Sequence, residues 1–206
     1  MTQAINIFLG LVCICIGQLA LAQTTDSSAS VSVLPYHQIP EYPREYTAST
    51  VAARMIDALG FRYYWATEGL RPEDLTYQPN EAARTTGETL DHIHQLIKII
   101  AQAIGQNPSS APEKAVPNSF NEKREDTLLR LKEISDLLKA SDAEAMEGFN
   151  LVFKGDESQS SYPFWNMING PIADALWHAG QVASFRRSSG NPMNPRVDVF
   201  MGNLRE

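Results

Sequence analysis

Cysteine is scarce in this 206-residue chain: there are two, Cys13 and Cys15, and both lie in the first 22 residues. Beyond them no disulfide staple and no thiol nucleophile is available, so a metal site there must draw on His, Asp and Glu. Basic charge is also short, with 17 Lys and Arg against 24 Asp and Glu and a formal net charge of −7. That balance argues against a nucleic-acid partner, which requires a dense basic face to meet phosphates. No self-similarity recurs at the spacing of solenoid or propeller repeats. What is present, 43% hydrophobic and 20% charged residues, is an ordinary globular balance at a length suited to one domain with appendages.

Residues 1–22 contain no charged side chain, and Ile5 to Ile16 is apolar apart from Asn6 and Gly10. Ala20-Leu21-Ala22 supplies the small-x-small pattern of a secretory cleavage site, with Gln23 as the new N-terminus. The segment is therefore expected to be a signal peptide for export (periplasmic or secreted). The alternative is a retained anchor, although a stretch interrupted by Gly10, Gly17 and Gln18 spans a hydrocarbon core of ~30 Å poorly. No stable membrane insertion is expected after cleavage.

Residues 23–46, Ser/Thr-rich and then punctuated by Pro35, Pro40 and Pro43, read as an extended leader. A first helix is expected from Thr47, with Val51, Met55 and Leu59 at helical spacing, running through Phe61, Tyr63, Tyr64 and Trp65 to Gly69. Thr85 or Thr86 opens a second helix ending near Gly105. The stretch 106–118, with Pro108, Pro112 and Pro117, reads as a surface loop. A third helix runs from Phe120 to Lys139, a shorter piece follows near Ala143, and Leu151-Val152-Phe153 suggests a brief extended run. The last long helix starts at Phe164 or Pro171 and stops at Ser188, before Gly190 and Pro192. The pattern predicts an all-α fold, a four-helix bundle over 47–192, with residues 193–206 as a short tail.

Of the four histidines, His37 lies in the leader. With His92 placed at zero on a helical projection, Leu96, Ile100, Ile93 and Ile97 fall between about 40° and 140°, so His92 borders the apolar face. His94, near 200°, is expected to face solvent. On the last helix Asp174, His178 and Gln181 form one stripe at i, i+4 and i+7, on a segment with almost no conventional solvated face. The stripe is expected to point into the protein or into a pocket. A carboxylate and an imidazole one turn apart can share a cation, and His92 from a facing helix is the best third ligand. Glu88, one turn before His92, is a candidate acceptor for its ring N–H or a fourth ligand, and Gln181 a candidate to orient water. The competing reading is a simple Asp174–His178 pair beside a hydrogen-bonded core histidine. Phe61–Trp65 and Trp177 are expected in the core, with the lining of a ligand pocket as the alternative. Arg186-Arg187 either complements the helix C-terminus or receives an anionic substrate.

Asp174-Ala-Leu-Trp-His178-Ala-Gly180-Gln181, followed by Arg186-Arg187 and Gly190-Asn-Pro192, resembles the last helix of the DinB/YfiT-like superfamily of metal-dependent four-helix bundles, whose pattern there is H-x-x-x-H-x-G-Q. Thr86-Gly87-Glu88-Thr89-Leu90-Asp91-His92 resembles its second-helix motif, and Gly69-Leu-Arg-Pro-Glu-Asp-Leu75 with Pro79-Asn its first connection. The similarity runs from about Thr47 to Pro192. It implies a divalent metal, zinc first with nickel, iron or manganese as alternatives, held by His92, Asp174 and His178. One departure matters: Asp174 stands where the family has histidine, which lowers the charge of the site by one while keeping a two-His, one-carboxylate set. The resemblance leads to an expected metal-dependent hydrolase or transferase acting on an unidentified small molecule, with Glu88 or Gln181 orienting the attacking group and pairing into a homodimer through helix faces. The alternative is a non-catalytic exported bundle that binds metal, a small ligand or a protein partner.

Overall fold

The computed structural model describes residues 33–105, 119–154 and 158–206. The expected signal peptide, the first part of the leader and the loop expected at 106–118 lie outside the described residues. The fold is mostly helical with little strand. Its long helices are α1 (Ala48–Thr67), α3 (Thr86–Gly105), α4 (Phe120–Ala140) and α7 (Ala173–Ser188), with short helices α2 (Pro72–Leu75), α5 (Ala143–Glu147) and α6 (Phe164–Met167) between them.

Local chemistry starts the helices where the sequence suggests. Thr47 caps α1, its hydroxyl accepting from Thr50 N–H at 3.2 Å while Thr50 Oγ1 accepts from Thr47 N–H at 2.9 Å. Ser119 and Glu122 close a reciprocal capping box on α4. The chain leaves α1 through Gly69, whose φ of +69° suits a residue without Cβ. Helix α1 packs on α4 and α7, and α3 packs on the same two helices. Ile56, Leu59, Ile93, Ile97, Ile100, Leu128, Leu131, Leu138 and Val182 are fully enclosed between them. Each such side chain contributes about 1.5–3 kcal/mol of transfer free energy.

Three features differ from expectation. From Val33 onward the leader is not merely extended: Tyr36 is buried and its hydroxyl donates to Asp57 Oδ1 of α1 at 3.2 Å. Its ring lies so close to Gly60 that a Cβ there would sit 2.5 Å from Tyr36 Cδ2. The extended run β1 (Leu151–Lys154) has an antiparallel partner, β2 (Gln159–Tyr162). That partner is exposed along its whole length, so it carries no alternating pattern. Finally, the last helical stretch is broken. A π-helical turn, Ile168–Ile172, joins α6 to α7, and Gly170 inside it departs from helical geometry (φ −95°, ψ −107°). Pro171 supplies the reason, because its ring disfavours helical backbone at the preceding residue. The tail forms a two-residue ladder between β3 (Val197–Asp198) and β4 (Asn203–Leu204).

Candidate metal centre

Helix α3 brings His92, and α7 brings Asp174 and His178, to one point. His92 Nε2 lies 3.1 Å from Asp174 Oδ2, and His178 Nε2 lies 3.2 Å from Asp174 Oδ1. The two imidazole rings meet edge to face, with centroids 4.8 Å apart and planes at 82°. One ligand atom from each of the three residues falls within 4.8 Å of the others. The carboxylate is the most open of the three, and His178 the most enclosed.

The donor chemistry fits a cation. His178 Nδ1 lies 2.6 Å from Gln181 Oε1, and since a carbonyl oxygen only accepts, Nδ1–H is the donor. With Nδ1–H held on Gln181, the ring turns Nε2 toward Asp174 Oδ1, and in its neutral form that nitrogen would offer its lone pair to a cation. Bonds of ~2.1 Å in tetrahedral geometry place neighbouring ligand atoms about 3.4 Å apart; the two rings face different oxygens of Asp174, at 3.1 and 3.2 Å, and a set of one atom per residue lies within 4.8 Å. Gln181 thus acts on the ring of His178, where the sequence reading has it orienting water.

Glu88 does not join this group. It occupies the third position of α3, where its carboxylate accepts from Thr85 N–H at 2.8 Å and Thr85 Oγ1–H at 3.1 Å, while Glu88 N–H donates to Thr85 Oγ1 at 3.1 Å. Those bonds, the backbone one first, hold its carboxyl below the ordinary range. Thr85-Thr-Gly-Glu88 is a capping box, and the capping geometry turns Glu88 away from His92. As the sequence shows Thr or Ser three residues before Glu, this signal was legible.

His94 is the second correction. Expected in solvent, it is 5% exposed, with Nδ1 3.0 Å from Thr127 Oγ1 and Nε2 3.6 Å from Asp126 Oδ2. Because Thr127 Oγ1–H already donates to Lys123 O at 2.7 Å, His94 Nδ1–H is placed to donate. Burial pushes its pKa down. The buried arc of α3 is wider than its aliphatic residues indicate, because α4 covers one flank and α7 the other. His92 and His94 mark the two edges of that arc.

The aromatic expectation divides. Phe61, Tyr63, Tyr64 and Trp65 are buried, whereas Trp177 is 72% exposed. It belongs to the outer face of α7, where Ala173, Gly180 and Ser184 are its exposed neighbours. Trp177 also borders an open groove of about 410 Å³ together with Leu96, Ile99, Phe153, Asn169, Gly170, Pro171, Ala173 and Asp174. The groove therefore meets the His–Asp–His group at Asp174. The sequence suggests a pocket at the Asp174 stripe but not its walls, which come from α3, β1 and the π-helical turn as well as α7.

Arg186 serves neither of its expected roles. Buried at 3% exposure, its Nη1–H groups approach Trp65 O at 3.0 Å, Ala66 O at 3.1 Å and Glu68 O at 2.9 Å, and Nε–H donates to Asn191 O at 2.7 Å. It thus caps the end of α1 rather than its own helix. Nearby, the fully buried carboxylate of Asp74 accepts from Arg71, from Ser189 Oγ–H at 2.6 Å and from Asn191 Nδ2–H at 2.6 Å. Arg71 is the main cause of a pKa far below the ordinary carboxylate range. The connection after α1 and the Gly190-Asn-Pro192 segment, read from sequence as separate motifs, meet in this latch.

In comparisons with known proteins, no family model matches the chain, and no curated protein or solved structure matches it either.

Proposed function

We propose that this chain is a metal-binding helical protein, a four-helix bundle of the DinB/YfiT-like kind, in which His92, Asp174 and His178 hold one divalent cation. The observation that carries the reading is the convergence of three ligand atoms from two helices within 4.8 Å. The contact of His178 Nδ1 with Gln181 Oε1, which leaves Nε2 facing a carboxylate oxygen, supports it as well. The mutual packing of α1, α3, α4 and α7 supports the bundle. Zinc is the first choice for a set of two imidazoles and one carboxylate, with nickel, iron and manganese as the other members of the class.

A divalent ion in such a site supplies Lewis acidity, activating water or polarising a substrate oxygen for hydrolysis or group transfer. Asp174, which borders the groove, would hold the ion beside it, and Gln181 would hold the His178 ring in one tautomer. With Glu88 engaged in the α3 cap, Asp174 is the only titratable residue among the described residues that line the groove. This favours a second reading beside the enzyme: capture of a metal and a small ligand without turnover. The uncharged segment at 1–22 supports export, and no helix among the described residues is long and apolar enough to cross a membrane.

The test is metal content. Protein purified without chelators and offered zinc, nickel, iron and manganese separately should retain close to one ion per chain, and His178→Ala and Asp174→Ala should lose it with helicity intact. Wild-type protein that retains none of the four would sink the proposal.

A further inference from the structure

Two large aromatic side chains stand in water beside the metal centre: Trp177 at 72% exposure and Phe153 at 51%. Both line the open groove that reaches Asp174. Leu96, Ile99 and Pro171 complete its apolar wall, and Asn169 is the polar residue besides Asp174. Among the described residues that line it there is no Lys or Arg. Charge and shape together then select a ligand. A divalent cation bound by one carboxylate and two neutral imidazoles leaves a single positive charge. One negative charge on the ligand balances it. A second would enter a largely apolar groove without a partner, and an unpaired charge in such surroundings is costly. The exposed rings of Trp177 and Phe153 offer a face to a flat, unsaturated body, which covers apolar surface otherwise left to water.

We infer that the groove takes a small aromatic monoanion whose acidic head meets the metal beside Asp174 and whose ring packs on Trp177 and Phe153. The inference deepens the metal-centre reading and rests on it. Phosphate esters, as dianions, fit the same opening less well for want of a second cation among the described lining residues. Purely aliphatic acids of the same charge satisfy the metal but leave the aromatic wall uncovered.

The experiment is calorimetric titration of zinc-loaded protein, with zinc content measured on each sample first. Three probes are compared: benzohydroxamate and acetohydroxamate, which both bind metals as monoanions, and phenyl phosphate. Benzohydroxamate should bind about tenfold more tightly than acetohydroxamate, a preference of about 1.4 kcal/mol. That preference should shrink severalfold in Trp177→Ala and Phe153→Ala at unchanged zinc content. Both positions are exposed, so folding should not interfere, and unchanged helicity and acetohydroxamate affinity in the variants check this. Phenyl phosphate should bind more weakly than benzohydroxamate. Zinc-loaded protein with the same probe preference in wild type and both variants, or with phenyl phosphate as the tightest probe, overturns the inference while leaving the metal centre standing. Failure to retain zinc or any of the other metals overturns the metal centre itself, and the inference with it.

Discussion

Replacing Arg186 by methionine tests the claim that one buried cation on α7 finishes the C-terminus of α1. The last turn of any helix leaves carbonyls without an intrahelical donor. In α1 they can be accounted for one by one. Tyr64 O accepts from Glu68 N–H at 2.9 Å, and Thr67 O from Leu70 N–H at 3.4 Å. Trp65 O and Ala66 O have Arg186 Nη1–H, which also reaches Glu68 O. Methionine keeps much of the stem volume but removes every donor, so two helix-end carbonyls lose their partner in a buried setting. Each buried acceptor left unpaired costs about 1–3 kcal/mol, partly offset by no longer desolvating a guanidinium. The net expectation is a loss of about 3 kcal/mol, or a fall in Tm of roughly 6–12 °C for a chain of this size. Urea unfolding followed by far-ultraviolet circular dichroism measures it directly. A loss below about 1 kcal/mol would refute the capping argument. At low temperature, where the variant remains folded, zinc retention should equal wild type, because the three proposed ligands come from α3 and α7.

Further outcomes follow from the same geometry. Gln181→Leu removes the acceptor for His178 Nδ1–H and should weaken metal affinity about 10–100-fold, whereas Gln181→Glu should retain it; competition with a chromophoric chelator reads both. Gly60→Ala places a methyl group against the Tyr36 ring and should cost about 1–3 kcal/mol in urea unfolding, a value that near-neutrality would contradict. Asp74 has a folded pKa below its ordinary value of 3.8, so its contribution is fully present above that value and is lost as pH falls below about 4. Asp74→Asn should lower stability at neutral pH and flatten the acid limb of the stability profile, as followed by thermal unfolding between pH 2 and 7 (roughly the range in which carboxylates titrate).

Much of the architecture can be read in one dimension because its determinants are local. Thr47, Ser119 and the Gly69 turn act within a few residues of themselves, and the apolar spacing of α1, α3 and α4 belongs to each helix alone. The helical class, the order of the elements and the pairing of Asp174 with His178 one turn apart follow from those short-range rules. Even the inward border position of His92 follows from its angle to Ile93 and Ile97.

Tertiary structure decided whatever depends on a second element. Whether His94 meets water hangs on α4 lying over its flank, and no periodicity within α3 contains that neighbour. Glu88 had two chemically sensible partners, and the backbone of Thr85, already in place at the helix start, held it away from His92. Arg186 found carbonyls in a helix some 120 residues earlier in the chain. Trp177 stayed outside because α7 turns Ala175, Ala179 and Val182 inward, small residues that allow close approach to α1 and α3. Helical spacing shows which side chains share a face; which face is covered, and by whom, is set by packing between segments far apart in sequence.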